Sequence, residues 1–179
     1  KDTQVILGAV DQILRETHGD VRFVFIGDGH PDNPYTAETK KMMRNLKADW
    51  PDQVYFIFDA KNIRGFSAKD HELTNRVFDG LDIFLYPSKF EPFGTKAATA
   101  LKKGVPGVFS PVGGLADFGK EYDPSTGQGN AAFIREVPGM TKQQALYDAI
   151  EKLINIYRNS PEDTKRIRQN ARDTELSWE

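Results

Sequence analysis

The sequence predicts an α/β fold, a Rossmann-like parallel sheet flanked by helices. Short apolar runs rich in β-branched and aromatic residues alternate along the chain with amphipathic stretches. These apolar runs show little period-two alternation, which is typical of parallel strands covered on both faces. Glycine-containing turns follow several of the runs, at the points where a strand would pass into a helix.

The first half of the chain is expected to hold three helices and two strands. "VRFVFIGDG" predicts a buried strand that ends in a glycine turn, and "QVYFIF" predicts a second strand. Apolar side chains recur every three or four positions in the stretches between them, and the polar segment 59–70 predicts a loop. The predicted elements are helices over 3–16, 36–48 and 71–78 and strands over 21–29 and 53–58.

The second half continues the alternation. "LDIFLYP", "GVFS" and "AAFIRE" predict three further strands, and Gly104 predicts the end of the helix between the first two. A final helix is expected to begin with Ser160 as its N-cap and Pro161 in its first turn. The predicted elements are strands over 81–87, 107–110 and 131–136 and helices over 95–103, 142–158 and from 160 onward.

Composition narrows the functional classes. The chain has 179 residues, a formal net charge of −2, 39% hydrophobic and 28% charged residues, as expected for one soluble globular domain over residues 1–179. The near-neutral balance argues against nucleic acid as a partner. There is no cysteine, which excludes disulfides and thiolate metal sites. We find neither an apolar run of membrane-spanning length nor a signal peptide, and expect a cytoplasmic protein, or a plastid one in a plant or alga. The missing initial Met suggests a fragment or a processed chain.

Three turns at the carboxyl ends of predicted strands are candidates for ligand binding, because open parallel sheets bind ligands at that edge. "GDGHPDNP" (27–34) allows close backbone approach, but an ordinary strand-to-helix turn is the better explanation of it. In "KFEPFGTKAA" (89–98), Gly94 precedes a helix whose free N–H groups and Lys96 suit an anion. Glu91 there suits sugar hydroxyls, but as a loop carboxylate it is equally consistent with simple solvent exposure.

The third turn is "SPVGGLADF" (110–118), in which two adjacent glycines permit a backbone nest for an anion. Asp117 in this turn is better explained as an acid favoured by a helix N-terminus than as a ligand-facing group. The three histidines, His18, His30 and His71, are scattered without metal-ligand spacing. We therefore expect no metal site.

The run from "FLYPSKFEPFGTKAA" to "SPVGGLADF" resembles the nucleotide-sugar site of retaining glycosyltransferases with the GT-B fold, above all the glycogen and starch synthase family. "VRFVFIGDG" and "HELTNRVFDGLDIFLYPS" resemble the strands and helix that precede this site, and "ELSWE" resembles the family's terminal helix. The resemblance covers most of the chain. It implies the C-terminal, donor-binding half of a two-domain GT-B enzyme whose active site lies in the cleft between its domains.

The resemblance also assigns roles to residues. It implies that Glu91 is the catalytic-site acid near the donor sugar. It implies that the helix beginning near Thr95 lies beside the diphosphate and that the double-glycine turn lines the sugar and phosphate with backbone groups. Lys1 would end the basic–Gly motif that supplies a phosphate-binding lysine, although Asp2 stands where glycine is expected. The implied donor-binding residues are Lys1, Gly94, Thr95, Lys96, Gly113, Gly114 and Leu115.

The same resemblance implies ADP-glucose or UDP-glucose as the donor substrate, no separate cofactor and no metal. The acceptor would be an α-glucan, bound through an N-terminal domain that this chain lacks, so the chain alone is expected to be inactive. Three positions depart from the family pattern. Thr99 stands where wider relatives carry a second Glu that holds the ribose hydroxyls, Phe93 replaces the family cysteine, and the base-stacking aromatic falls near Lys69, with Phe66 as a substitute.

Three functions remain open from the sequence. The first is the donor-binding domain of a glucosyltransferase that extends an α-glucan with retention. The second is a GT-B transferase with another sugar donor and a non-glucan acceptor, which Phe93 favours. The third is a non-catalytic GT-B-like binding module, which Thr99 favours because the ribose partner is altered.

Overall fold

The protein consists of parallel sheets flanked by helices, as predicted. A computed structural model describes residues 3–27, 37–58 and 71–176. The elements, in chain order, are α1 (Thr3–Glu16), β1 (Phe23–Gly27), α2 (Ala37–Asp49), β2 (Val54–Phe58), α3 (His71–Asp79), β3 (Phe84–Tyr86), α4 (Thr95–Lys102), β4 (Gly107–Phe109), α5 (Gly114–Phe118), β5 (Ala131–Phe133), α6 (Lys142–Asn159) and α7 (Pro161–Arg172).

The chain separates into two compact units, Asp2–Asn75 and Arg76–Glu179. In the first unit β1 and β2 pair in parallel, with Phe23 opposite Val54. Phe25 stacks on Phe56 with ring centroids 4.8 Å apart. The opposite face of this pair, which carries Val24, is exposed, unlike the two-sided burial expected from the sequence.

Helices α1 and α2 of this unit contact each other and share polar bonds. Gln4 donates to Thr39 Oγ1 at 3.4 Å, and the Trp50 indole N–H donates to Asp11 Oδ1 at 3.2 Å. Helix α1 ends where His18 takes a positive φ of 50°, a conformation that a residue with a Cβ adopts only at a cost. The helix is therefore terminated by backbone geometry at the following Gly19.

In the second unit, strands β3, β4 and β5 form a parallel sheet in that order. Phe84 lies opposite Gly107, which lies opposite Ala131. Helix α4 contacts β3, β4 and α7, while α6 contacts β5 and α7. The buried core between these layers is formed by Ala97, Leu101, Phe109, Leu115, Ala131 and Ala171.

The buried polar side chains Asn130 and Tyr122 of the second unit have hydrogen-bond partners. Asn130 is 3% exposed; it accepts from Lys120 N and donates to the Phe118 carbonyl and Thr174 Oγ1, all within 3.0 Å. Tyr122, fully buried, donates to Asp163 Oδ1 at 2.7 Å. Ser160 accepts from Asp163 N as the N-cap of α7, which confirms the predicted start of that helix.

Candidate functional site

The Glu91 turn (residues 90–94) connects β3 to α4 at the carboxyl edge of the second sheet. Strand β3 ends at Tyr86, and Ser88, two residues later, is 4% exposed. Gly94 takes φ 69° and ψ 29° as the residue before α4, so the chain reverses there without a side-chain cap. The turn thus brings a carboxylate and a helix N-terminus to the same edge of the sheet, as the sequence indicated.

Both oxygens of Glu91 accept hydrogen bonds from this turn and strand. Oε1 accepts from the Gly94 N–H at 3.0 Å, and Oε2 accepts from the Tyr86 hydroxyl at 2.8 Å. Burial, followed by the hydrogen bond to Glu91 and the charge of that carboxylate, raises the pKa of Tyr86 to about 12. Glu91 is therefore held in a defined orientation and is not a loosely solvated loop side chain.

The double-glycine turn (residues 112–115) lies directly against the Glu91 turn. A Cβ on Gly113 would stand 2.0 Å from the Glu91 carbonyl oxygen, and a Cβ on Gly114 would stand 2.4 Å from the Phe93 carbonyl oxygen. The Gly114 N–H donates to the Pro92 carbonyl at 3.2 Å. The two turns, distant in sequence, form one continuous backbone surface that only glycine at both positions permits.

The N-terminus of α4 offers the site's unpaired donors. Among the described residues, the N–H groups of Thr95 and Lys96 have no acceptor, and both side chains are exposed. The helix dipole adds partial positive charge at this end, and the Lys96 ammonium adds a full one. This end of the helix therefore suits a phosphate.

The donors of the double-glycine turn are used differently from the nest expected from the sequence. The Gly114 N–H donates to Pro92 O, and the Leu115 N–H donates to Val112 O at 3.1 Å. The Leu115 side chain is fully buried and packs in the core. Among the described residues, the Gly113 N–H alone of these three lacks an acceptor. Gly114 and Leu115 shape the turn, while Gly113 is the residue with a backbone donor to offer.

Thr99 lies one helix turn beyond Thr95, on the same side of α4. Its hydroxyl donates to the Thr95 carbonyl at 3.0 Å, within the helix. The hydroxyl oxygen can still accept, but Thr99 offers a single oxygen, where a Glu would offer the two of a carboxylate.

The structure thus brings six of the sequence-predicted site residues together and leaves one outside its described part. Lys1 lies outside the described residues, as do positions 28–36, Phe66 and Lys69, and 177–179. Asp117 is exposed in the first turn of α5, in agreement with the helix-dipole explanation. The residues brought together are Glu91, Gly94, Thr95, Lys96, Gly113 and Gly114, with Leu115 packed beneath them.

Tyr86, whose hydroxyl donates to Glu91, was not predicted from the sequence as a residue of the site. Helix α5, of five residues, was not among the predicted elements because so short a segment carries no readable periodicity, although the explanation of Asp117 as an acid at a helix N-terminus presupposed a helix there. The signal for Tyr86 was its hydroxyl: a tyrosine at the end of an otherwise apolar strand needs a partner when it is buried.

This arrangement, a parallel sheet with a carboxylate turn, an uncapped helix N-terminus and a double-glycine turn at one edge, defines a Rossmann-like domain with these groups at the edge where open parallel sheets bind ligands. Residues 1–174 match the family described as "Glycosyl transferases group 1", and the chain belongs to that family.

The chain is similar to curated glycogen synthases. It is 33% identical over 178 residues to the glycogen synthase of Desulforudis audaxviator, and 31% identical over 160 residues to that of Thermotoga maritima. The alignments cover 99% and 89% of this chain but only 31% and 29% of those relatives. The chain therefore spans about a third of the length of the relatives it matches.

Solved structures share the fold. The catalytic domain of starch synthase IV from Arabidopsis thaliana, bound to ADP and acarbose, superposes with a TM-score of 0.68 at 20% identity, covering 96% of this chain and 33% of that one. The C-terminal domain of a group 1 glycosyl transferase (LpcC) from Francisella tularensis gives 0.69 at 23% identity, covering 97% and 76%. Within the described part of the protein, no helix is both long and apolar enough to cross a bilayer.

Proposed function

We propose that this chain is the donor-binding domain of a retaining glucosyltransferase of the glycogen/starch synthase type. The whole enzyme would transfer glucose from ADP-glucose or UDP-glucose to the non-reducing end of an α-glucan. The glycogen synthase relatives support the reaction class, and the starch synthase structure with ADP supports a nucleoside diphosphate as the ligand of this fold. The observation that carries the proposal is the contact between the Glu91 turn and the double-glycine turn.

Different residues of the site would bind different parts of the sugar-nucleotide donor. The diphosphate would lie at the N-terminus of α4, where Thr95 and Lys96 offer N–H groups and Lys96 adds its ammonium. The Gly113 N–H, which has no acceptor among the described residues, would donate to the same anion or to the sugar. Glu91 would accept hydrogen bonds from sugar hydroxyls. Fixed donors beside the diphosphate stabilise the negative charge that develops as it leaves, which is electrostatic catalysis.

The proposal also assigns the acceptor to a part of the enzyme outside this chain, because the relatives are about three times as long. We therefore expect this chain to bind the nucleotide without transferring glucose. Transfer of glucose to maltooligosaccharide by the isolated chain would contradict this division.

Isothermal titration of the chain with ADP, UDP and GDP tests the proposal. ADP-selective or UDP-selective binding supports it. GDP selectivity would instead favour a transferase with another sugar donor, for which Phe93 in place of the family cysteine is the supporting observation. Absence of binding by all three would favour a non-catalytic module, for which the altered ribose position at Thr99 is the supporting observation.

A pair of lysine variants on α4 sharpens the test. Lys96→Met should weaken nucleoside diphosphate binding several-fold, because it removes a positive charge beside the phosphate. Lys102→Met removes the same charge from the last turn of the same helix, where the dipole is negative, and should leave the affinity unchanged. Equal effects of the two variants would show that general electrostatic attraction, and not this helix N-terminus, binds the ligand.

A further inference from the structure

Tyr86 is the feature of the site that neither the sequence nor the family match assigns. It is the last residue of β3, and its hydroxyl reaches Glu91 Oε2 at 2.8 Å while Gly94 N–H holds Oε1 at 3.0 Å. Two donors on two different oxygens fix both the position and the plane of a carboxylate. With only one of these two hydrogen bonds, the carboxylate could still rotate about that bond.

The Tyr86 ring is itself held in place. It stacks on Phe84 with centroids 5.4 Å apart and packs against the core cluster beneath α4. Tyr86 is also paired with Phe109 in the β3–β4 ladder. The hydroxyl is therefore presented from a rigid strand, whereas Glu91 sits on a turn.

We propose that Tyr86 is a positioning residue that aims the Glu91 carboxylate at the donor sugar. This inference rests on the proposed function. Because Tyr86 donates this hydrogen bond, the Glu91 carboxylate is the acceptor of the pair, and a ligand that it binds must supply hydrogen-bond donors, as the hydroxyls of a hexose do. A carboxylate offers about four acceptor positions, so the hydrogen bonds from Tyr86 and Gly94 do not by themselves exhaust its capacity to accept from a sugar. The nucleoside diphosphate does not need Glu91, since its partners lie at the N-terminus of α4.

The chemistry of Tyr86 agrees with this role. Its pKa is raised to about 12, first by burial and then by the hydrogen bond and charge of Glu91, with a smaller opposing effect from Ser88. At neutral pH the hydroxyl therefore keeps its proton and remains the donor of the pair.

The test compares Tyr86→Phe with a matched control, Tyr122→Phe. Tyr122 is also a buried tyrosine that donates to a carboxylate, Asp163 at 2.7 Å, but it lies away from the two turns. Both variants lose one hydrogen bond to an ionised group and should lose similar thermal stability. Only Tyr86→Phe should change the sugar contribution to binding.

The measured quantity is the ratio of the Kd of ADP to that of ADP-glucose, with UDP and UDP-glucose in parallel, on the intact 179-residue chain. We expect Tyr86→Phe to weaken binding of the sugar nucleotide about tenfold while the Kd of the nucleoside diphosphate stays within about twofold. Tyr122→Phe should change neither. A purely structural role for Tyr86 predicts instead that both ligands weaken together, and that result would overturn the proposal, as would no change in either Kd.

A second measurement does not need a ligand or a folded Tyr86→Phe variant. In protein labelled at the tyrosine Cζ carbon, the Tyr86 NMR resonance should titrate well above pH 10, and Glu91→Gln should shift its midpoint towards 10. An unchanged midpoint would refute the Tyr86–Glu91 pair itself. If the pair is seen but the unmodified chain binds no nucleotide, the proposed function fails, and the aiming role fails with it. If the unmodified chain binds the nucleotide but the ratio of the Kd of ADP to that of ADP-glucose is the same in Tyr86→Phe, the proposed function stands and only the role of Tyr86 is refuted.

Discussion

Replacement of Gly113 by alanine tests whether the contact between the two turns depends on the absence of a side chain. The added Cβ would stand 2.0 Å from the Glu91 carbonyl oxygen and 3.0 Å from its carbonyl carbon. These are backbone atoms, so no side-chain rotation relieves the clash, and the two turns must separate. Separation would also break the bond from Gly114 N to Pro92 O, now 3.2 Å long.

The cost follows from three contributions. Gly113 has φ 47° and ψ −140°, a region in which a residue with a Cβ is strained by roughly 1–3 kcal/mol. Overpacking adds roughly 1–3 kcal/mol, and the lost hydrogen bond adds roughly 1 kcal/mol. We expect a total loss of about 3–7 kcal/mol, which lowers the unfolding midpoint by about 6–28 °C, at roughly 2–4 °C per kcal/mol in a chain of this size.

Thermal and urea unfolding, followed by circular dichroism, measure this loss. Gly139→Ala is the matched control, because Gly139 also has a positive φ of 86° but its added Cβ would meet nothing within 4 Å. It carries the backbone strain without the clash and should cost about 1 kcal/mol. If Gly113→Ala proves no more destabilising than Gly139→Ala, the two turns do not touch as described, and the basis of the proposed site is lost.

Three further predictions concern stability. His18→Gly should stabilise the protein by about 1 kcal/mol in urea unfolding, because it relieves the positive φ of 50° at the end of α1; a loss of stability would contradict the strain. Burial and paired carboxylates raise the pKa of Tyr86 and Tyr122 to about 12. Because the folded state then holds these protons more tightly than the unfolded state, the stabilisation is complete below pH 10 and is lost between pH 10 and 12. The thermal unfolding midpoint should therefore fall more steeply across that pH range in the unmodified protein than in the double Phe variant. Asn130→Ala should cost about 2–4 kcal/mol in urea unfolding, because it removes a buried side chain that accepts from Lys120 N and donates to the Phe118 carbonyl and Thr174 Oγ1, and a cost below 1 kcal/mol would show that water replaces the side chain.

The order and type of most elements could be predicted because helix and strand periodicity is a local property of the chain. Both ends of α1 and the first residue of α4, Thr95, agree with the prediction to the residue. The strands were predicted too long: "LDIFLYP" yields only Phe84–Tyr86 and "AAFIRE" only Ala131–Phe133. A strand ends where its partner turns away, and that point is set by the neighbouring chain segment.

The candidate site was predictable in its parts. Glu91, Gly94 and the double glycine could be named because each stands at the end of an apolar run, where a parallel sheet binds ligands. The resemblance to glycogen and starch synthases joined these parts, and the match of residues 1–174 to the group 1 glycosyl transferases confirms the family.

The sequence by itself determined the alternation of helices and strands, the family and the residue types at the turns, because these depend on neighbours along the chain. Only the tertiary structure decided that Gly113 touches the Glu91 backbone, that the Gly114 and Leu115 amides are already used, and that Tyr86 holds Glu91. Each of these depends on how the two parallel strands β3 and β4 bring their carboxyl ends together. Distances of a few ångströms between residues remote in sequence leave no local signal, and at this site they decide which groups remain to bind a ligand.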